Sequence, residues 1–427
     1  MADVGLHTLA ELRAGGDPDP HARFQRVDAL AFGLSNTGAY VDAKRLITDP
    51  DRFVIAVATG DDGRSVDAGG SGNFGFELTL PGGATVDVGG VGDVGVLTSH
   101  RRRGILRSMM AWLLEDSASR GEVASTLTAS QATIYGRFGY GMAVPQRLVE
   151  IPVASAALRP DAPVADGSLR LHDVATDREE LLSVLPALHV ACASNGALSR
   201  SASWWAVVLG DAETYVGGFP DQRALVHLDP AGAPDGYALY RHVERWGDHG
   251  SETVLEVREV LGTAPAVELA LWSALLEVDL VTSVRAPLPA RHLLDDALLD
   301  VRSMRCRALR DHLWLRPIDV AALLSARTYS ADGDLVLVVD DPLRPEWGGR
   351  FRLRVVDGRG TCERDDRGTA SSADLTVGLA DLGSRVLGHG SFRALGRVGR
   401  IQGDPTVLAL ADAMFDTDPP PWTDTKF

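Results

Sequence analysis

Apolar positions along the chain recur with two different periods. Phe24, Val27, Leu30, Ala31 and Leu34 fall on one face of a helix over 24–34, and Ile105, Met109, Trp112 and Leu113 on one face of a helix over 104–119. Stretches at 53–58, 74–80, 85–97 and 126–129 predict strands, with another near 148–151. Residues 61–73, rich in Gly, Asp and Ser, predict a loop or hairpin connection. Gly89, Gly90, Gly92 and Gly95 interrupt the strand over 85–97, which predicts a bulge or a close approach by a ligand. Residues 134–138 predict a short helix or turn. Strand and helix signals alternate, so residues 1–155 are expected to form one α/β domain.

The pattern restarts after 156–168, where Pro160 and Pro163 among Ala, Asp and Gly predict a linker. A helix over 179–191, strands over 224–228, 236–241 and 251–260, and a helix over 264–278 with Pro265 near its start describe a second α/β unit within 165–295. Trp204 and Trp205 are expected in a core or an interface. A third region, 300–427, predicts helices over 319–325, 379–388 and 406–414 and strands over 333–340 and 373–378. In it, Arg350, Arg352 and Arg354 alternate with Phe351, Leu353 and Val355, a strand with one wet face. The last twelve residues, with three consecutive prolines, predict an extended tail that Trp422 and Phe427 could anchor.

One junction carries candidate chemistry. The run Val94-Gly-Val-Leu-Thr-Ser-His-Arg-Arg-Arg-Gly-Ile-Leu-Arg107 reads as a strand, a glycine-containing turn and a helix start. The first N–H groups of a helix lack partners inside it and attract anions. Arginine at that end opposes the helix dipole, so three in a row call for an anion nearby. The turn is therefore a candidate site for a diphosphate-bearing ligand. Only the first α/β unit has such a turn, so the second is read as lacking a working cofactor site.

Charge and composition narrow the function. A chain of 427 residues with net charge −16 argues against a general nucleic-acid binder and is compatible with small cationic substrates. Three distant cysteines, Cys192, Cys306 and Cys362, form neither a disulfide framework nor a zinc cluster. His189, His227, His242, His249 and His292 have no metal-ligand spacing, so no metal is expected. The N-terminus does not read as a signal peptide, and no stretch reaches the ~18 apolar residues of a membrane helix. The expected location is the cytoplasm, or outside the cell without a classical signal.

The run at 94–106, together with Ala-Ser-Gln-Ala-Thr-Ile-Tyr-Gly-Arg-Phe-Gly-Tyr-Gly at 129–141 and a terminal phenylalanine, closely resembles the Eis (enhanced intracellular survival) family of aminoglycoside acetyltransferases. The resemblance extends over essentially the whole chain. It implies two fused acetyltransferase-type (GNAT) α/β domains, the second degenerate, then a sterol-carrier-like α+β domain whose tail enters the active site. It also implies homo-hexamers, acetyl-CoA as co-substrate, and acetylation of amines on polycationic molecules by direct attack in a ternary complex.

Site residues follow from that resemblance. Arg102, Arg103, Gly104 and Ile105 would hold the diphosphate, Val96 and Leu97 would lie beside the pantetheine arm, and Ser130 would position substrate or thioester. Tyr135 matches the family's general acid; a phenol, with ordinary pKa of about 10, stays protonated near neutrality and can protonate a departing thiolate. Tyr140 is read as structural. The C-terminal carboxylate of Phe427 matches the family's base or orienting group, although an unperturbed α-carboxyl, pKa about 3.3–3.7, is a weak base for an ammonium. Gln131 stands where the family is expected to carry glutamate, which weakens attraction for one substrate ammonium. His100 is read as a turn residue near the diphosphate. Asp28, Asp416, Asp418 and Asp424 are unranked candidates for the cleft. The alternative is a lipid- or sterol-binding carrier, or an interaction protein, with a vestigial acyltransferase domain.

Overall fold

The computed structural model describes residues 3–210, 212–213, 218–248, 250–365 and 373–427, so His249 lies outside the described residues. The chain forms two compact units that do not follow chain order. One holds residues 1–143, 313–417 and Phe427; the other holds 144–312 and 418–426.

In the first unit, strands β1 (Asp3–Thr8), β2 (Phe53–Thr59), β3 (Ser65–Thr79), β4 (Thr85–Val96) and β5 (Ala124–Leu127) pair in that order. Pairing is antiparallel until β4 meets β5, which run parallel. Three helices, α1 (Leu9–Ala14), α2 (Pro20–Phe32) and α3 (Gly38–Ile47), separate β1 from β2. Asp19 caps α2 by accepting from the Ala22 N–H, and Pro20 sits where its missing N–H costs nothing. Helix α4 (Ile105–Ser119) buries Ile105, Met109 and Leu113 as its spacing predicts, together with Met110, while Trp112 of the predicted face is half-buried. After β5 come α5 (Ala132–Tyr135), a single 3₁₀ turn, and strand β6 (Gly141–Pro152), through which the chain leaves this unit.

Of the loop or hairpin connection expected over 61–73, the hairpin is what forms: β2 and β3 pair antiparallel, and β3 already starts at Ser65, so most of this stretch is strand. Its glycines read as turn residues, yet they supply room. A Cβ at Gly72 would stand 2.2 Å from the Phe53 ring, so the aromatic side chain occupies the space that a β-residue would fill.

The chain returns to the first unit with the end of strand Arg305–Pro317, whose residues Trp314–Pro317 pair antiparallel with β5. That strand was not legible: Arg305, Cys306, Arg307 and Leu309 are exposed and do not alternate in polarity. A five-stranded sheet follows, in the order 359–364, 349–356, 333–340, 375–378 and 402–403. Arg352 and Arg354 lie on its wet face within 2.6 and 3.4 Å of Asp334, while Phe351, Leu353 and Val355 are buried. The helix expected over 379–388 stops at Gly383.

The second unit is built on strands 281–288, 253–262, 234–243, 222–228 and 168–173, beginning beside β6. Helix Pro265–Leu276 covers it with Trp272, Leu271 and Leu275, and Trp204 and Trp205 are buried, as core residues. The tail residues 418–426 are tied into this unit. Trp422 N–H donates to the Asn195 carbonyl at 2.8 Å, and His312 Nε2 lies 2.9 Å from the Thr423 carbonyl. Arg200, in a fully buried pair with Glu259, donates from Nε to Thr425 Oγ1 at 3.0 Å.

Candidate active site

The parallel pairing of β4 and β5 covers only Val88–Val91 against Ala124–Leu127. Beyond it β4 runs on to Val96 while β5 ends, so the two backbones part. A register shift against β3 accompanies this. Asp93 takes a left-handed φ of 53°, a conformation that aspartate tolerates better than most residues. The glycine cluster thus marks both a bulge and a close approach, and the approaching residue at Gly90 and Gly92 is Phe427.

Phe427 is 1% exposed, its ring 5.0 Å from Phe76 and 6.3 Å from Phe74 between centroids. A Cβ at Gly90 would stand 2.4 Å from the Phe76 ring and 3.2 Å from that of Phe427. One at Gly92 would stand 2.9 Å from the Phe74 ring and 3.7 Å from the Phe427 carboxyl carbon. Thr128, in the loop just past β5, donates its hydroxyl to a terminal oxygen of Phe427 at 2.9 Å.

A pocket of about 810 Å³ lies along the diverging end of β4 and the start of α4. Of the residues singled out in the sequence, it is lined by Val96, Arg102, Gly104, Ile105, Ser130 and Tyr135, with His100 and Gln131 beside them. Leu97 and Arg103 are not among the lining residues: Leu97 spends its N–H on the Ala68 carbonyl and its carbonyl on the His100 N–H, and Arg103 is exposed. Phe427 also lies outside the lining. The pocket gains Ala31, read in the sequence only as part of a helix face, and Phe32, Pro342 and Leu343, which no sequence signal marked.

The charge of this pocket is distinctive. Among the described residues, Arg101, Arg102, Arg107 and Arg137 line it and no carboxylate does, in a chain of net charge −16. No side chain caps α4, so its first N–H groups remain available for an anion. Arg102 and Gly104 have φ of 64° and 85°, and a Cβ at 104 would meet nothing within 4 Å, leaving the backbone open to close approach. These features fit a diphosphate, with Val94, Val96 and Ile134 offering an apolar wall to an attached arm. Among the described residues, no group of His, Cys, Asp and Glu could hold a metal ion.

Tyr135 is 6% exposed and its phenol is pushed above the ordinary value by burial, partly opposed by a hydrogen bond with Ser130. It is therefore a protonated group on the pocket wall. Tyr140 is fully buried, 2.7 Å from Ser125 Oγ, and its ring packs 6.2 Å from that of Tyr135. The two tyrosines of one motif separate into one facing the pocket and one inside the core.

Behind β4 lies a buried charged cluster. Lys44 Nζ is 2.8 Å from Asp93 Oδ2 and 5.0 Å from the Phe74 ring centroid. Asp28, 6% exposed, has its carboxyl raised to about 7, first by burial and then by the Asp93 charge, against the pull of Lys44. Of the four unranked acids, Asp28 alone belongs to this cluster. Asp416 and Asp418 are exposed, and Asp424 accepts from Trp422 Nε1 at 2.8 Å within the second unit.

Comparison with known proteins gives the family. Acetyltransferase (GNAT) domain families match residues 17–143 and 196–316, and a sterol carrier protein domain family matches 320–424. An uncharacterized N-acetyltransferase of Streptomyces coelicolor is 35% identical over 397 residues, covering 91% of this chain and 93% of the relative. The N-acetyltransferase Eis of Mycobacterium tuberculosis is 34% identical over 365 residues, covering 82% and 84%. The crystal structure of Eis1 from Mycobacterium abscessus superposes with a TM-score of 0.81 at 29% identity, covering 100% of both chains. A GCN5-related N-acetyltransferase from Anabaena variabilis shares the fold, with a TM-score of 0.79 at 20% identity and full coverage of both. Two GNAT-type domains and a sterol-carrier-type domain, over nearly the full length of these relatives, make this chain an N-acetyltransferase of the Eis family.

Proposed function

We propose that the protein transfers the acetyl group of acetyl-CoA to amines of small polycationic molecules such as aminoglycosides, by direct attack in a ternary complex. The observation that carries this reading is the pocket at the start of α4, lined among the described residues by four arginines and no carboxylate, with the Tyr135 phenol on the same wall.

Backbone N–H groups at Gly104 and Ile105, with the Arg102 side chain, hold the diphosphate; guanidinium forks suit phosphate oxygens. Acetyl-CoA supplies an activated thioester. The acceptor nitrogen bonds to its carbonyl carbon, the C–S bond breaks, and the electron pair leaves on sulfur. Tyr135 Oη gives the thiolate a proton, and Ser130, hydrogen-bonded to that hydroxyl, fixes its direction. The ammonium proton leaves toward the Phe427 carboxylate, directly or through water. Thr128 fixes one oxygen of that carboxylate, so it acts by placement as much as by basicity.

Cys192, Cys306 and Cys362 are all free thiols, which suits a reducing cytoplasm. We further propose a homo-hexamer, to be checked by light scattering on the eluted protein. The function is tested by mixing acetyl-CoA with kanamycin-type amines and simple polyamines and following thiol release and product mass. Release with mono- or multiply acetylated amine is expected. No release with any amine of the panel contradicts the reading.

A further inference from the structure

The 3₁₀ turn after Tyr135 ends at Gly139, whose φ is 84°; a Cβ there would stand 2.0 Å from Arg316 Nη1. Arg316 sits in that space and forms a fully buried ion pair with Asp341, Nη2 to Oδ2 at 2.7 Å. Asp341 then organises the loop that follows it. Its Oδ1 accepts from the N–H groups of Leu343 and Arg344 at 3.0 and 3.1 Å, a tight turn made by one side chain. Arg344 closes the other side with an ion pair to Glu115 on α4, and both guanidiniums lie over the Trp347 ring, at 5.5 and 5.6 Å. Leu343 and Trp347 pack against the apolar cluster that includes Tyr135 and Phe138. The tip of this pinned loop, Pro342 and Leu343, lines the pocket itself.

We propose that the loop 341–347, from the sterol-carrier-type region, is part of the coenzyme site: Pro342 and Leu343 contact the apolar arm of acetyl-CoA, and Arg316 positions them through Asp341. This rests on the acetyl-transfer reading above and adds a substrate-binding role for a region otherwise read as carrying the tail. Two apolar side chains on a pocket wall can contribute only by contact area, so their signature is binding of the coenzyme rather than acid or base chemistry. A loop held by a buried ion pair and an Asx-type turn is placed before the ligand arrives, so its contact costs little ordering.

The test is calorimetric binding of free coenzyme A to the full-length wild type, Leu343→Ala, Leu343→Met and Pro342→Ala. Truncating Leu343 is expected to weaken coenzyme A by about fivefold to tenfold, with Leu343→Met returning to within about twofold of wild type. Pro342→Ala is expected to weaken it by about twofold to threefold, and carries the same test if Leu343→Ala does not fold. Wild-type binding with unchanged affinity in the folded alanine variants overturns the loop assignment alone. A wild type that does not bind coenzyme A overturns this inference and the acetyl-transfer reading together.

Discussion

The hydroxyl of Thr128 donates a hydrogen bond of 2.9 Å to the terminal carboxylate of Phe427, 299 residues further along the chain. Thr128 sits just past the point where β5 stops following β4, and Phe427 fills the opening with its ring against Phe74 and Phe76. Phe427 is thereby a built part of the first unit. It is held by aromatic packing, by the absence of Cβ atoms at Gly90 and Gly92, and by one charge-directed hydrogen bond.

Removing that bond isolates its contribution. Thr128→Val keeps the shape and deletes the donor. Hydrogen bonds to charged groups contribute about 1.5–3 kcal/mol, so kcat is expected to fall by about tenfold or more. Thr128→Ser restores the donor and is expected to recover most of the loss. Steady-state kinetics with both variants check this; equal rates for Val and Ser would remove the hydroxyl from the account.

Tyr135→Phe removes the proposed proton donor while keeping the ring that packs beside Tyr140. General acid catalysis contributes about 10²–10⁴-fold, so kcat is expected to fall by about 100-fold or more, with the Kd of coenzyme A nearly constant. Direct binding combined with single-turnover rates separates the two. A kcat within threefold of wild type would return the acid role to another group.

Gln131 is exposed on the pocket wall, where the family resemblance leads one to expect glutamate. Gln131→Glu adds a carboxylate at that place. Exposed ion pairs contribute about 0.2–1 kcal/mol, so the acceptor KM is expected to fall by about twofold to fivefold at low salt, and the gain to vanish at high salt. Initial rates with a multiply charged amine at two ionic strengths measure this. A gain that persists unchanged at high salt contradicts a Coulombic origin.

Asp28 makes stability depend on pH with a definite sign. Its folded pKa of about 7 lies above the ordinary 3.8, so between those values the folded protein holds a proton that the unfolded chain has released. Stability then falls as pH rises through that window, and the loss is complete above the folded pKa. Asp28→Asn lacks this term. The variant is expected to gain stability relative to wild type between pH 4 and 7, and to gain no further at pH 8, in urea unfolding followed at each pH. A stability difference that is flat across the series contradicts the raised carboxyl.

Helix α4 and the Arg-rich turn were legible because each has a local signal: helical spacing, and arginines where the dipole disfavours them. The first half of the strand over Ser65–Thr79 was not, because Gly69, Gly70 and Gly72 look like loop residues until the Gly95 backbone and the rings of Phe24 and Phe53 are seen filling their places in turn. That Phe427 anchors the tail was legible from its aromatic ring, but its place beside Thr128 was not, since no local pattern pairs residues 299 positions apart. Pro342 and Leu343 carried no signal at all. Their place in the pocket comes from the Arg316–Asp341 pair, a contact between distant positions that periodicity does not encode.

The most direct test of the central claim is to add a few residues after Phe427. Phe427 does not line the pocket, so extension removes the free carboxylate from its place beside Thr128 and leaves the arginine-lined site intact. Coenzyme A is expected to bind the extended protein with wild-type affinity, while acetyl transfer to an amine falls by about 100-fold or more. An extended protein that acetylates amines at the wild-type rate would contradict a catalytic C-terminus.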